Sequence, residues 1–259
     1  MRNILTIAGK ELKGYFVSPI AYVVLTGFLL LGGWFFYNLL ARFNFILGMY
    51  SAMRNPEALA QVNLNQWVVE PLLHNLAVVL VILVPMITMR SFAEEKRAGT
   101  YELLMTSPVR TGEILAGKFV GAGMFLLIMV SLAGTFGALL WYYGNPGPEV
   151  PVMLAGFGGL FLMALTFAAV GICCSAFTEN QIIAAVSGLV ACLMLYVIGW
   201  PADTAGDVAG NALRYLSITE HFAQLVKGVV DTTDLGYFVL VMALALFITH
   251  WTVESLRWR

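Results

Sequence analysis

Three groups of residues have types and spacings that support chemistry elsewhere. Gly112-Glu-Ile-Leu-Ala-Gly117-Lys118 follows a phosphate-binding loop as far as its lysine. Phe119 then stands where Ser or Thr would coordinate magnesium, no strand precedes the stretch, and a long apolar run follows it. No nucleotide site is predicted there. Ser187-Gly188 and His250 offer a nucleophile and a base. Ala185 replaces the first glycine of a Gly-x-Ser-Gly turn, however, and no oxyanion donor is evident. Cys173, Cys174 and Cys192 lie in apolar runs without zinc or disulfide spacing and read as small apolar side chains. His74, His221 and His250 are scattered, which argues against a metal site. No catalytic residue and no metal ligand is predicted.

The richest polar stretch runs from Arg90 to Lys118. Ser91 with Glu94 has capping-box spacing. Glu94, Glu95, Lys96 and Arg97 form a charged turn ending at Ala98-Gly99. A second short helix, Thr100–Met105, carries Tyr101, Leu103 and Leu104 and stops at Ser107-Pro108. Two short helices held between apolar runs make a rigid knuckle suited to docking in a groove of a soluble partner; the plainer reading is a solvated loop.

The surrounding composition shows what positions this knuckle. Of 259 residues, 60% are hydrophobic and 11% charged, against about 25% charged in a soluble domain. So few charges fit a chain whose main solvent is lipid. A net charge of −1 gives no basic surface for nucleic acid. A bilayer core of ~30 Å needs about 20 apolar helical residues. Six runs qualify: Ile20–Leu40, Leu72–Met89, Phe119–Tyr143, Val152–Phe177, Ile182–Trp200 and Leu235–Val253. Ser18-Pro19 reads as the cap of the first. The polar N-terminus running into a full span suits a signal anchor rather than a cleaved leader. Gly121, Gly123, Gly134, Gly137, Gly156, Gly158 and Gly159 would let backbones approach closely. With the N-terminus inside, Arg2, Lys10, Lys13, Arg90, Lys96, Arg97, Arg110, Lys118, Arg257 and Arg259 are cytoplasmic, and Arg42, Arg54, Arg214 and Lys227 are outside. This bias places both termini in the cytoplasm.

Outside the spans, Asn3–Phe16 has near-helical apolar spacing and reads as an amphipathic helix on the inner surface. Ala41–Glu70 is expected to be a long outer loop. Asp203–Asp234 is expected to form short amphipathic or re-entrant helices against the outer end of the bundle. Thr178–Gln181 is only long enough for a turn. The span interiors hold almost no ionisable groups, which argues against an ion-coupled carrier; a secondary carrier or a channel without an ATPase is the alternative reading. Asn38, Thr135, Thr166 and Asn180 read as helix glue or caps. An apolar interior suits a hydrophobic or lipid-like substrate, or a closed resting pore.

The stretch Phe92-Ala-Glu-Glu-Lys-Arg-Ala-Gly-Thr-Tyr-Glu-Leu-Leu-Met-Thr-Ser-Pro-Val109, followed by Glu113-Ile-Leu-Ala-Gly-Lys118, resembles the permease subunits of type-2 ABC exporters. Leu216-Ser-Ile-Thr-Glu-His-Phe222, continuing to Lys227-Gly-Val-Val-Asp-Thr-Thr-Asp234, resembles their gliding-motility-associated branch. The resemblance spans the whole chain, 1–259, as one permease domain. It implies an all-α integral membrane protein with six transmembrane helices and an N-terminal interfacial helix. It also implies a coupling helix between spans 2 and 3, and outer re-entrant helices before span 6. The implied partners are two cytoplasmic ABC ATPase subunits, a second copy of the chain, membrane lipid, and in this branch an accessory subunit with an extracytoplasmic domain. ATP and magnesium would sit on the ATPase, with no cofactor on this chain. The implied ATPase-coupling residues are Phe92, Glu94, Glu95, Lys96, Arg97, Thr100, Tyr101, Glu102, Leu103, Leu104 and, on the small inner turn, Glu179. The outer segment would be marked by Glu220, His221 and Phe222. The implied setting is a prokaryotic inner membrane, and the implied task is export or transmission of ATP-driven motion to an outer partner.

Overall fold

Each long apolar run becomes a helix, because lipid offers the backbone no hydrogen-bonding partner and the chain must satisfy itself. The computed structural model describes residues 2–53, 62–101, 109–144, 147–204 and 206–257, and contains no strand among them. Helix α1 (Arg2–Val17) precedes the first span, α2 (Pro19–Ala52). A π-helical turn, Asn65–Val69, leads into the second span, α3 (Glu70–Thr88), and α4 (Arg90–Arg97) follows after a break at Met89. The third, fourth and fifth spans are α5 (Thr111–Tyr143), α6 (Val150–Ala176) and α7 (Gln181–Val197). A 3₁₀ turn at Trp200–Asp203 and two short helices, α8 (Asp207–Leu216) and α9 (Ile218–Val226), lead to the sixth span, α10 (Thr232–Arg257). Among the described residues, six helices are long and apolar enough to cross a membrane, as the apolar runs predict.

Two boundaries differ from expectation. The first span runs to Ala52 rather than Leu40, so much of the expected loop Ala41–Glu70 is helix. Nothing in Ala41–Ala52 breaks a helix, and its 34 residues reach about 50 Å, well past a hydrocarbon core of ~30 Å. The third span begins at Thr111, eight residues before Phe119, because Glu113 and Lys118 are accommodated on the helix itself. The caps are local. Ser18 Oγ accepts from the Ile20 amide (3.4 Å) with Pro19 at the first helical position, and Asn180 Oδ1 accepts from the Ile182 amide (2.9 Å).

The second and fourth spans form the centre, and the first, fifth and sixth lie outside them. Phe28, Leu72, Leu73, Leu76, Leu80, Phe125, Phe167, Phe222 and Phe238 are fully or almost fully buried together. Small residues set the closest approaches. A Cβ on Gly156 would stand 2.5 Å from Leu73 Cδ1, and one on Gly159 would stand 2.8 Å from Leu225 Cβ. Gly134 and Gly158 have nothing within 4 Å and do not act in this way. Asn38, Thr135 and Thr166 bond to carbonyls of their own helices, not across helices.

The contact of Gly159 with Leu225 places α9 beside the fourth span, about 14 Å along the helix from its start at Val150. Short helices are therefore present before the sixth span, as expected, and α9 packs into the bundle with Phe222 fully buried. Helix α8 leaves Val208, Tyr215 and Leu216 exposed. At the opposite end, α1, α4, the start of α5 and the ends of α6 and α10 gather on one face.

Candidate functional site

The break between α3 and α4 exposes backbone groups that a continuous helix would pair. Ser175, near the end of the fourth span, fills it. Its Oγ accepts from the amides of Phe92 (3.0 Å) and Ala93 (3.1 Å) and donates to the Met89 carbonyl (2.9 Å). A side chain inserted into the hydrogen-bond ladder is a sufficient cause of a kink. Helix α4 then ends at Ala98, with Gly99 at φ +69, a left-handed conformation that glycine adopts without steric cost. This is the stop that Ala98-Gly99 predicts. The Ser91–Glu94 capping box does not form, because Ser91 lies inside the helix and buried. Glu113 takes that role on the next helix, where its Oε2 accepts from the Arg110 amide (3.3 Å).

A buried ion cluster ties this joint to its neighbours. Lys118 Nζ, on a side chain only 2% exposed, donates to Glu11 Oε1 of α1 (2.6 Å) and Glu95 Oε1 of α4 (2.8 Å). It also lies 5.2 Å from the centre of the Phe92 ring. A buried lysine needs partners of this kind to remain charged. One cation thus fastens α1 and α4 to the third span. Helix α1 approaches closely enough through two glycines on one face. A Cβ on Gly117 would stand 2.7 Å from Ile7 Cβ, and one on Gly121 2.7 Å from Glu11 Cβ and 3.1 Å from the Ala8 carbonyl oxygen. An apolar cluster of Phe92, Ile114, Leu115, Ala122, Ile172, Ala176 and Val253 lies beneath α4.

The predicted coupling residues divide by environment. Phe92 is fully buried, and Glu95 points inward to Lys118. Lys96 donates to the Ala176 carbonyl at the end of the fourth span, where a cation favours the helix dipole, and lies 5.5 Å from the Tyr101 ring centre. Tyr101 donates to the Val253 carbonyl (3.4 Å). Burial pushes its phenol above the ordinary range, with the Glu95 and Glu254 carboxylates adding to the effect. Glu94, Arg97 and Thr100 are exposed, as is Glu179 on the turn beside Ala176. Glu102, Leu103 and Leu104 lie outside the described residues, as does most of the second short helix expected after Gly99. Sequence reasoning missed Ser175, and it read Lys118 as a cytoplasmic charge and a motif residue without giving it a partner. A lysine facing Glu11 at the amphipathic helix was the available signal; Ser175 gave none.

The opposite end of the bundle has its own polar lock. His221 Nδ1 lies 2.7 Å from Asp234 Oδ1 and Nε2 lies 2.9 Å from the Tyr215 carbonyl oxygen, with both side chains buried. Tyr237 stacks on the imidazole at 4.1 Å and donates to the Leu216 carbonyl (2.6 Å). Phe222 packs edge-on against His74 of the second span at 5.4 Å. Glu220 is exposed. These contacts join α8, α9, the second span and the sixth.

Neither rejected chemistry reappears. Gly112–Lys118 is helical, so its amides cannot cradle a phosphate. Ser187 donates to the Ala184 carbonyl of its own helix (3.1 Å). Among the described residues no group of His, Cys, Asp and Glu has a metal-holding arrangement. A family model described as ABC-2 family transporter protein matches residues 5–254. A comparison with curated proteins gives no match.

Proposed function

The chain belongs to the ABC-2 family of transporter proteins and is a permease component of an ABC transporter, and we propose that it is an ATP-driven exporter subunit whose cytoplasmic ATPase partners dock on α4. The observation that carries this reading is the bracing of α4. It is hydrogen-bonded to the fourth span through Ser175 and Lys96, and ion-paired through Glu95 to Lys118 of the third, which also holds α1. Its outward strip offers Glu94, Arg97 and Thr100, with Glu179 on the adjacent turn. Force applied to that strip reaches two spans and the interfacial helix without crossing a flexible link.

In this reading the inward residues transmit motion and the outward ones recognise the ATPase. ATP and magnesium belong to the partner, which must bind two states of the permease unequally for work to pass between them. A second copy of the chain completes the pathway through the peripheral spans, whose faces are the least covered. Among the described residues, the buried charged side chains, Lys118 and Asp234, lie at the two ends, so the apolar middle favours a hydrophobic or lipid-like substrate. The outer lock at His221 offers a firm face to an accessory extracytoplasmic subunit, the partner expected of the gliding-motility-like branch. We place the protein in a prokaryotic inner membrane with both termini cytoplasmic.

Cysteine labelling tests the docking surface. Thr100→Cys and Glu179→Cys should react with an impermeant maleimide in inside-out vesicles, and adding the ATPase encoded beside the permease should protect both. Labelling that is indifferent to a bound ATPase would place docking elsewhere.

A further inference from the structure

A cleft of about 360 Å³ lies between α1, the start of the first span and the inner ends of the second and third, within the ~300–1,000 Å³ typical of small-molecule sites. One side of its wall is apolar and comes from spans, with Val24, Met86 and Ile87 among its members. Val17, at the end of α1, and Met86, at 85% and 41% exposure, mark the open mouth beside this side. The other side is polar and comes from α1 and α4. Three buried atoms there have no hydrogen-bond partner among the described residues: Arg90 Nε, Ser91 Oγ and Glu95 Oε2. Tyr15 stands beside Ser91 in the same wall, close enough to bear on its hydroxyl. Buried polar groups are ordinarily paired, so three orphans lining one cleft point to a missing ligand. They offer a cationic donor, a hydroxyl and an anionic acceptor. Lys118 is held by Glu11 and the other oxygen of Glu95, whereas Arg90 donates from Nη1 to Ser18 Oγ (3.1 Å) and keeps its Nε 3.9 Å from the exposed Glu94 carboxylate, without a hydrogen bond.

We propose that this cleft holds the headgroup of a zwitterionic phospholipid bearing a primary ammonium, a phosphoethanolamine group. The phosphate takes the Arg90 Nε–H, with Lys10 at the exposed rim, and the ammonium donates to Glu95 Oε2 and Ser91 Oγ. The acyl chains leave along Val24 and Met86. Charge selects the class. Lys10, Arg90 and Lys118 balance Glu11, Glu94 and Glu95 in the lining, so a neutral head keeps the balance and an anionic one upsets it. A trimethylammonium head has no N–H to give Glu95. The site sits at the inner end of the bundle, at headgroup level in the topology proposed above. An occupant there bridges α1 to α4 and makes the joint lipid-dependent.

The test is native mass spectrometry of the full-length chain released from nanodiscs of equal phosphatidylethanolamine, phosphatidylcholine and phosphatidylglycerol. The expected result is one phosphatidylethanolamine retained per chain, about tenfold over either other lipid. Arg90→Gln should abolish the preference. So should Gly14→Leu, which fills the cleft from a position where a new Cβ meets nothing within 4 Å. Equal retention of the three lipids, a preference for phosphatidylglycerol, or retention that survives Gly14→Leu in a folded variant would overturn the proposal. Displacement by soluble glycerophosphoethanolamine would identify a free headgroup compound, not a lipid, and would overturn it too. No ATPase enters the assay, so its failure leaves the docking proposal standing.

Discussion

Lys118 and Ser175 set the behaviour of the inner joint at the scale of single residues. Removing a buried lysine leaves Glu11 and Glu95 facing each other without a cation. Lys118→Met should therefore destabilise the protein by about 3 kcal/mol, read as a fall in melting temperature in mild detergent. Glu94→Gln, on an exposed side chain 3.9 Å from Arg90, should stay within about 0.5 kcal/mol of the parent. Ser175→Ala strands the amides of Phe92 and Ala93, a loss of about 1–3 kcal/mol in the same assay. Equal melting temperatures across these variants would show that the joint is not held as described. The charged run 94–97 was legible as a feature of the sequence, but which of its members face inward was not. Glu94 and Glu95 are adjacent and chemically alike; only the position of Lys118 on a neighbouring helix separates their roles. Ser175 lies in an apolar run eighty residues away, and its use is a tertiary fact.

At the scale of elements, the interfacial helix α1 is held by shape as much as by charge. Gly121→Leu puts a branched side chain where Glu11 Cβ and the Ala8 carbonyl already stand. The cost of such overpacking is typically about 1–3 kcal/mol, and α1 should lift from the third span. Gly9→Leu is the control, since a Cβ there meets nothing within 4 Å. Limited proteolysis should cut α1 faster in Gly121→Leu than in the parent or in Gly9→Leu; equal cutting would show that the glycine contact does not hold α1. The helices themselves were legible from hydropathy and length, because a bilayer imposes both. Helix ends were less legible. The first span outran its apolar run because nothing stopped it, and the third began early because polar residues on its first turns found partners on α1 and α4. The glycines announced close packing in general, but Gly134 and Gly158 show that a small residue on a lipid-facing side carries no such meaning.

At the scale of the whole molecule, the two ends have different mechanical characters. One end gathers α1, α4, the end of the fourth span and the final turns of the sixth into one braced surface. The other end is locked by a buried histidine–aspartate contact with tyrosine stacked upon it. Between them lies an apolar bundle whose central pair, the second and fourth spans, touches both ends. In the coupling proposed above, a push on α4 reaches α8 and α9 through these packed helices. The family was legible from the Phe92–Lys118 motif, and the family model matches residues 5–254. The substrate leaves no such mark on a uniformly apolar interior.

The proposed function stands or falls on whether the exposed strip of α4, and not its buried face, recognises the ATPase. The deciding experiment is co-elution of the permease with its ATPase in mild detergent, for the parent and for Glu94→Lys with Arg97→Glu, each checked for an unchanged melting temperature. A stable complex is expected for the parent, and its loss in the double variant, which should fold and melt like the parent. A folded double variant that still elutes with the ATPase in full amount would contradict the docking surface proposed for α4.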